Sequence, residues 1–420
     1  MNMPGAKIIQ ISDSHQRFLR DESSGEGFGE SISFPESEGD VIRILKELRD
    51  RGASETITCQ GACTGIRGLA VPHGGHIINC TEMNHILEMK AVSETEAYVL
   101  AEPGVTLETL NLAIAREFRN PAFFWPPSPT EFSATIGGIA ATGACGMNVC
   151  RYGATADYIQ EIAWVAPDGV RVTAEGSRID EVLAKGGVIT ALRLRLVRRP
   201  EEIWGAGFFF ENHADALRFA DLLRSNAAAA GGKGFCDEQV QAKPETSAWI
   251  ASMEYFDAEA LALAAAQKTQ SPGNLSIPDV PEGSEALIYL EIEGVTDAVE
   301  QMVFDLMEPA EAAGCDPDRA LAFAGRSEAE KMHRFRHAVM VAVSEYIAKR
   351  HAEDTRITRK TIDLTCGEKL FSEQAECLRE ALKQHDLTAA VLAHIRDGAF
   401  EISILPQNFE AVLHSEALFT

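Results

Sequence analysis

Residues 60–68 form a glycine-rich segment directly after a predicted strand, and they are the first part of the chain suited to binding a ligand. Small residues in a tight turn allow several backbone N–H groups to converge on one anion, which suits a pyrophosphate. The segment is not a Walker A loop, because no Gly-Lys-Ser/Thr follows. Its glycines are spaced four and then three apart, so it does not match GxGxxG. By itself, the segment is equally consistent with a plain glycine-rich turn.

Three later segments are suited to contact the same ligand. Residues 126–143 contain Pro-Pro-Ser-Pro and then an Ala-Thr-Ile-Gly-Gly run. The paired glycines allow close approach of the backbone, and the hydroxyls of Thr135 and Thr142 can donate to phosphate or ring oxygens. Residues 151–153 and 187–190 are two short glycine-containing segments. None of these segments is decisive alone.

A pair of histidines raises the question of a metal site. His333 and His337 are four residues apart on a predicted helix, which is a spacing that can ligate zinc. No glutamate stands between them as in HExxH, and Arg334 and Arg336 disfavour a cation there. We therefore expect no metal at this pair.

Composition and charge narrow the class of protein. The chain has 420 residues, of which 45% are hydrophobic, so two globular domains are expected. A formal net charge of −25 argues against nucleic acid, whose phosphates would be repelled. Such a charge is typical of a soluble protein, with a basic partner protein as the alternative. No run approaches the roughly 18 apolar residues of a transmembrane segment, and residues 1–20 lack a signal-peptide core, which predicts a cytoplasmic protein.

The cysteines predict neither a disulfide framework nor a metal cluster. There are nine, none in a CxxC pair, and no zinc-ribbon or iron–sulfur spacing is present. We expect most of them to be reduced core residues. They lie at positions 59, 63, 80, 145, 150, 236, 315, 366 and 377.

Alternating strands and helices must position the candidate segments. Ser37, followed by Asp40, predicts a helix start, and apolar residues then recur at helical spacing until Gly52. After residue 200, strands and helices predict a sheet backed by helices on one face. Predicted strands cover residues 31–34, 55–59, 77–80, 97–102, 160–166, 170–174, 188–197, 249–255, 287–293 and 401–405. Predicted helices cover 107–118, 214–223, 298–312, 328–349 and 372–384, with loops over 226–246 and 268–284.

Together and in this order, the glycine-containing segments resemble the PCMH-type FAD-binding domain of the vanillyl-alcohol oxidase superfamily, in particular its glycolate oxidase and D-lactate dehydrogenase branch. Residues 60–68 match the pyrophosphate loop, and residues 134–138 match the Ala-Thr-Ile-Gly-Gly signature. Residues 102–105, 151–158 and 187–190 match further recurring segments. The resemblance implies noncovalent FAD held by Gln60, Gly61, Ala62, Cys63, Thr64, Gly65, Pro127, Ser128, Ala134, Thr135, Gly137, Gly138, Ala141, Thr142, Tyr152, Gly187, Val188 and Ile189.

The resemblance also implies the fold. It predicts an α+β protein in which residues 1–200 form a two-subdomain, PCMH-type FAD-binding domain. Residues 201–420 are then the C-terminal substrate domain of an FAD-linked oxidase, a ferredoxin-like α+β cap. Its last segment, about 390–420, is expected to return towards the flavin.

In the second half, the resemblance points to a residue that binds the substrate. Arg336 matches an arginine expected to hold a substrate carboxylate, a task that suits the two-pronged guanidinium. The alternative is that Arg336 lies on the solvated face of a charged helix. Lys360 also matches a family lysine, and it is predicted to take part in catalysis.

Residues 394–401 resemble a family motif, His-x-Gly-Asp-Gly-Asn-x-His, whose histidines bind a divalent ion in metal-dependent members. Here Arg396 replaces the first glycine, Ala399 replaces the asparagine, and Glu401 replaces the second histidine. His394 and Glu401 could still hold a metal, but Arg396 would oppose it, so a site without a metal is favoured. His394 is then the candidate general base, since neutral imidazole accepts a hydroxyl proton near pH 7. Its alternative role is that of a hydrogen-bonded core histidine.

These features predict an FAD-linked dehydrogenase or oxidase that acts on a small 2-hydroxy acid such as D-lactate or glycolate. His394 would remove the hydroxyl proton while a hydride passes to flavin N5, with Arg336, Lys360 and Glu401 completing the catalytic set. Two alternatives stay open: a flavin oxidoreductase for another substrate, and a flavin-carrying electron-transfer subunit of a complex. The electron acceptor is predicted to be separate, either a quinone or an electron-transfer or iron–sulfur protein, and a homo-oligomer is possible.

Overall fold

The computed structural model describes residues 7–23, 25–51, 56–229, 248–270, 276–367 and 369–418. Two compact units are present: unit 1 comprises Met1–Gly146 and Ala154–Arg199, and unit 2 comprises Met147–Gly153 and Pro200–Thr420. Both units combine helices with sheets, so the predicted α+β class is confirmed. A division at residue 200 alone misplaces Met147–Gly153, which packs with the second unit.

Unit 1 begins with a four-stranded sheet in the order β1-β2-β4-β3. Strands β2, β3 and β4 are parallel, and β1 is antiparallel to β2. Helix α1 begins at Ser37, whose side chain accepts from the Asp40 N–H, as the sequence predicts. The apolar face of α1 packs over Ile78 and Cys80. The bounds are β1 Ile9–Gln10, β2 Ser31–Ser33, α1 Glu38–Asp50, β3 Ile57–Gln60 and β4 His76–Asn79.

The second sheet of unit 1 is antiparallel, with the order β5-β6-β10-β8-β9, and β7 pairs with β10. Its strands are β5 Ile86–Ala91, β6 Glu96–Ala101, β7 Phe123–Phe124, β8 Ile159–Val165, β9 Arg171–Glu175 and β10 Val188–Arg198. The helices are α2 Leu107–Glu117, α3 Ile136–Thr142 and α5 Arg178–Leu183. The strands predicted over residues 160–166 and 170–174 are β8 and β9, which pair as an antiparallel hairpin.

Unit 2 is built on one seven-stranded antiparallel sheet in the order β14-β11-β13-β12-β16-β17-β15. Its strands are β11 Glu202–Phe210, β12 Ala248–Asp257, β13 Ala286–Gly294, β14 Ala320–Phe323, β15 Thr361–Thr365, β16 Ala389–His394 and β17 Ala399–Ile404. The helices are α4 Val149–Tyr152, α6 His213–Ala229, α7 Ala258–Gln270, α8 Thr296–Asp305, α9 Met307–Ala313, α10 Arg326–Glu353, α11 Phe371–Gln384 and α12 Phe409–Leu418.

Helices cover both faces of this sheet, so the prediction of helices on one face is wrong. Helices α7 and α10 pack on one face, and α6, α8, α9 and α11 pack on the other. The physical reason lies in β13, where all nine residues are buried. A strand with two apolar faces must be covered on both sides, and a continuous apolar run in the sequence predicts such a strand.

Several elements differ from their predicted bounds. The helix predicted over residues 298–312 is two helices, α8 and α9, that meet at Leu306. Strands β11, β15 and β16 and helices α7 and α12 were not predicted. Gly52, Cys236 and most of the predicted loop at 226–246 lie outside the described residues. Of the eight described cysteines, all are thiols, and Cys80, Cys150, Cys315 and Cys366 are buried.

Candidate functional site

The two main glycine-containing segments lie against each other in unit 1. A Cβ on Gly61 would come within 2.1 Å of Thr135 Oγ1, so only glycine permits this approach. The Thr135 hydroxyl caps α3 by accepting from the Gly138 N–H at 3.3 Å. The Gly137 N–H donates to the Pro103 carbonyl at 2.9 Å. The turn after β3, the start of α3 and residues 102–105 therefore form one continuous backbone surface.

Gln60 anchors this turn through its side chain. It is buried, and its amide donates to the carbonyls of Phe18 at 2.8 Å and Ala70 at 2.7 Å. Asn79 Nδ2 donates to the Gly61 carbonyl at 3.0 Å. The role of Gln60 is therefore to fix the turn, since its amide hydrogens are taken up by the backbone.

The residues at the tip of the turn leave backbone accessible. Ala62 and Gly65 are exposed, while Cys63 and Thr64 are half-buried. Cys63 has a left-handed backbone with φ 58°, an uncommon conformation for a residue other than glycine. Burial, with Asp21 nearby, raises the pKa of the Cys63 thiol to about 11. A protonated thiol is a poor nucleophile, which favours noncovalent attachment of a ligand.

The third segment reaches the same part of unit 1. Gly187 has φ 132°, and a Cβ there would lie 2.5 Å from the Trp164 ring. The Cys59 thiol donates to the Gly187 carbonyl at 3.4 Å, so the start of β10 lies beside the end of β3. Val188 and Ile189 are buried, whereas Gly187 is half-buried and is the part of this segment that is closer to the surface.

The remaining predicted residues of unit 1 lie around α3. Pro127 is buried, and the Ser128 carbonyl approaches Gly146 so closely that a Cβ there would be 1.7 Å away. Ala134 is half-buried and Ala141 is exposed. The Thr142 hydroxyl donates to the Gly138 carbonyl at 2.8 Å, so its hydrogen is taken up within α3.

Tyr152 is anchored in unit 2 by a buried carboxylate. Its hydroxyl donates to Glu293 Oε2 at 2.5 Å, and Trp249 Nε1 donates to the same oxygen at 3.2 Å. The Arg151 guanidinium stacks 3.7 Å from the centre of the Trp249 ring. Burial raises the pKa of Glu293 to about 7, although both hydrogen bonds oppose the rise. These contacts explain why Met147–Gly153 belongs to unit 2.

A cluster of charged side chains lies in unit 2 between α10 and the end of the sheet. In β12, β16 and β17, alternate residues face α10, as strand geometry requires. Arg336 of α10 lies here with Glu254, His394 and Glu401, next to apolar residues of the same face such as Leu392. We call Glu254, Arg336, His394 and Glu401 the charged cluster.

His394 and Glu254 form the tightest pair of the charged cluster. The two residues are opposite each other in β16 and β12, and His394 Nδ1 donates to Glu254 Oε1 at 2.6 Å. Burial alone lowers the pKa of His394, but the attraction of Glu254 outweighs it and the pKa is raised. Of the other charges near the imidazole, Arg336 lowers this pKa and Glu401 raises it, and Asp397 in the following turn is close by. With Nδ1–H held by the carboxylate, Nε2 carries the lone pair of the neutral ring.

Arg336 joins the two carboxylates of the charged cluster. Its Nε lies 3.4 Å from Glu254 Oε2, and its Nη2 donates to Glu401 Oε2 at 3.1 Å. The side chain is only 7% exposed, so the alternative of a solvated helix face is wrong. The structure also differs from the simple expectation of an anchor for a substrate, because protein carboxylates already engage the guanidinium.

Sequence reasoning missed Glu254 and a second histidine pair on the same face. His333 Nε2 donates to Glu291 Oε2 at 2.9 Å, and Glu291 raises the pKa of His333 although burial opposes it. The available signal was the glutamates placed within strands that are otherwise apolar, since such residues are rarely buried without a partner. His333 has a carboxylate partner here, and within the described part of the chain no group of three or more metal-ligating residues is found.

The structure does not place Lys360 in the charged cluster. Its Nζ donates to Glu416 Oε1 of α12 at 2.8 Å, and a third of its side chain is exposed. A lysine that is paired elsewhere has no geometric support as a catalytic residue. The prediction for Lys360 is therefore corrected, whereas Arg336, His394 and Glu401 do come together.

Comparison with known proteins places these features in context. A family model described as an FAD binding domain matches residues 30–175. The chain is 32% identical over 249 residues to a D-lactate dehydrogenase of Anaerostipes hadrus, covering 56% of this chain and 50% of that protein. It is 21% identical to glycolate oxidase subunit GlcD of Bacillus subtilis (strain 168), covering 88% of this chain and 71% of that one.

The fold has a solved counterpart. A structure of alkyldihydroxyacetonephosphate synthase matches with a TM-score of 0.64 and 15% identity, over 94% of this chain and 72% of that one. At this identity the likeness shows the fold. The chain spans half or less of the length of the D-lactate dehydrogenases it matches. Among the described helices, none has both the length and the apolar character needed to cross a membrane.

A substitution at Gly61 tests the close approach in unit 1. Gly61→Ala places a methyl group against Thr135 Oγ1, so we expect a loss of about 1–3 kcal/mol in the free energy of unfolding and weaker FAD binding. Chemical denaturation and FAD titration measure both effects. Gly39→Ala is the control, since a Cβ there meets only Ser37 Oγ at 3.8 Å. Equal stability and FAD affinity in the two variants would contradict the packing described.

The titration of His394 tests its pairing with Glu254. We expect the His394 pKa in the folded protein to lie above the ordinary value of about 6.5, and Glu254→Gln to lower it, because the attracting charge is lost. The raised pKa means that the pair stabilises the fold below about pH 6.5 and loses this effect as pH rises through the folded-state pKa. NMR titration of the imidazole, assigned with His394→Asn, gives the value. Glu291→Gln is the control and should move the His333 resonance instead; an unmoved His394 pKa in Glu254→Gln argues against the pair.

Proposed function

We propose that this chain, whose residues 30–175 match a family model described as an FAD binding domain, is an FAD-dependent oxidoreductase that oxidises a small 2-hydroxy acid, such as D-lactate or glycolate, to the 2-oxo acid. The observation that carries the proposal is the charged cluster, where a base and a guanidinium lie together on one face of a sheet. The D-lactate dehydrogenase and glycolate oxidase subunit relatives support the substrate class.

The FAD is held, in this proposal, mainly by backbone. Residues 61–65, 134–138 and 187–189 offer main chain within one part of unit 1, and residues 127–128 and 141–142 lie near them around α3. These residues fit the cofactor because glycines bring the segments together at contact distance. When bound, FAD supplies the two-electron acceptor for the hydride of the substrate α-carbon.

His394 is the proposed general base. Its Nε2 removes the hydroxyl proton of the substrate, and Glu254 stabilises the imidazolium that forms. The substrate thus loses one proton to His394 and one hydride to the acceptor, which leaves the 2-oxo acid. Only neutral imidazole accepts the proton, so the base functions above its pKa, which Glu254 has raised.

Arg336 is the proposed partner of the substrate carboxylate. A guanidinium that is 7% exposed lies in surroundings where a charge-assisted hydrogen bond is stronger than in water. Unit 2 is accordingly proposed as the substrate domain. The electron acceptor is proposed to be a quinone or a separate electron-transfer or iron–sulfur protein, and the compartment the cytoplasm.

A second candidate function follows from the partners of Arg336. Glu254 and Glu401, which belong to the protein, already engage the guanidinium, and this favours a flavin oxidoreductase for an alcohol without a carboxylate. In that case, the guanidinium serves to hold Glu254 and Glu401 in place. Neutral alcohols therefore belong in the substrate panel.

The first measurement is anaerobic absorbance of the FAD-loaded protein during titration with D- and L-2-hydroxy acids. We expect the flavin to bleach with one enantiomeric series of small hydroxy acids. A protein that dithionite reduces but no hydroxy acid bleaches contradicts the proposal, and bleaching by a neutral alcohol alone supports the second candidate. Reoxidation by a soluble quinone or by oxygen then identifies the class of acceptor.

Substitution of the base gives a second test. His394→Asn should slow flavin reduction by roughly 10²–10⁴-fold, because the hydroxyl proton loses its acceptor. In the wild type, the reduction rate should rise with pH through the raised pKa of His394, and this dependence should vanish in the variant. Stopped-flow absorbance measures both. His333→Asn is the matched control, since it removes the other histidine–glutamate pair of the same face; an equal loss in both variants would exclude His394 as the base.

A further inference from the structure

The two carboxylates that engage Arg336 are held very differently. Glu254 is 1% exposed, and it is fixed by His394 as well as by the guanidinium. Glu401 is 22% exposed and contacts Arg336 through one oxygen, at 3.1 Å from Nη2. Of the two, Glu401 is the one whose carboxylate can leave the guanidinium and be hydrated, because its side chain already contacts solvent.

The strand beside Glu401 adds a second negative charge. Asp363 of β15 is directly opposite Glu401 of β17, so both side chains project from the same face of the sheet. Like charges in this arrangement repel each other, and the nearby Arg336 compensates. The guanidinium therefore lies beside a carboxylate, Glu401, that has a second acidic residue opposite it on the neighbouring strand.

We infer that Glu401 is a specificity-determining residue, whose carboxylate occupies the Arg336 position that a substrate carboxylate would take and competes with it for the guanidinium. The inference rests on the proposed function for the identity of that ligand. When an acid binds, Glu401 moves off Nη2 but stays in its place on β17, opposite Asp363. A second carboxylate on the ligand is then repelled by the displaced Glu401 carboxylate.

Two consequences follow for selectivity. Affinity for any carboxylate is lowered in the wild-type protein, because binding must break the contact between Arg336 and Glu401. Monocarboxylates are accepted in preference to dicarboxylates, because only the latter bring a second charge close to Glu401 and Asp363.

The test compares Glu401→Gln with Glu416→Gln in the full-length, FAD-loaded protein. Both variants remove one negative charge from unit 2, but Glu416 pairs with Lys360 and not with the charged cluster. Calorimetry at low ionic strength gives dissociation constants for propionate and glutarate, which undergo no oxidation at a hydroxyl group. We expect Glu401→Gln to bind propionate roughly tenfold more tightly than the wild type, because a neutral amide competes less well than a carboxylate for Arg336. The gain in affinity for glutarate should be larger. Glu416→Gln should stay within about twofold of the wild type.

The outcome that overturns the inference is an unchanged or weaker affinity for both acids in Glu401→Gln that has wild-type FAD content and thermal unfolding. If that variant does not fold, Glu401→Asp serves instead, since its shorter side chain keeps the charge but does not reach Nη2. It should then bind propionate more tightly but still discriminate against glutarate. Because these ligands need no turnover, tighter binding without flavin reduction by hydroxy acids would uphold the inference while the proposed function fails.

Discussion

The arrangement of unit 2 depends on one buried carboxylate. Glu254 is 1% exposed, and a buried charge is tolerated only when its oxygens find charged or polar partners. His394 supplies one partner from the neighbouring strand, and Arg336 supplies the other from α10. The need to pair Glu254 thus fixes the side chain of the candidate base, the position of the guanidinium and, through it, Glu401.

Unit 1 obeys a different constraint, the close approach of backbones. Side chains contribute little to the surface around residues 61–65, because Gln60 is turned inwards and Thr135 caps a helix. Glycines at 61, 137 and 187 are required by contacts that leave no room for a Cβ. A surface made of main chain is suited to phosphates and to the edges of a flavin, which are recognised by N–H groups more than by charge.

The difference between these constraints explains what the sequence could predict. Positions that demand glycine are visible in a single sequence, so the segments at 60–65, 134–138 and 187–190 were identified and come together in unit 1. The helix start at Ser37 could also be predicted, because its cap depends only on neighbouring residues. The partner of His394 could not be predicted, because Glu254 precedes it by 140 residues and only the order of the strands brings the two together. The prediction for Lys360 rested on a local match to a family motif. Such a match does not reveal that Lys360 forms an ion pair with Glu416, which is 56 residues away in the sequence.

The charged cluster places opposing demands on the proposed reaction. A protonated His394 adds positive charge beside Arg336 and so favours entry of a carboxylate, but it has no lone pair to accept the hydroxyl proton. Deprotonation creates the base and leaves Glu254 and Glu401 with Arg336 as their only cation within the charged cluster. Affinity for the acid is therefore expected to weaken over the same pH range in which flavin reduction accelerates. Because Glu254 raises the pKa of His394, this crossover lies at a higher pH than for an ordinary histidine, and one site can hold an anion and still remove a proton.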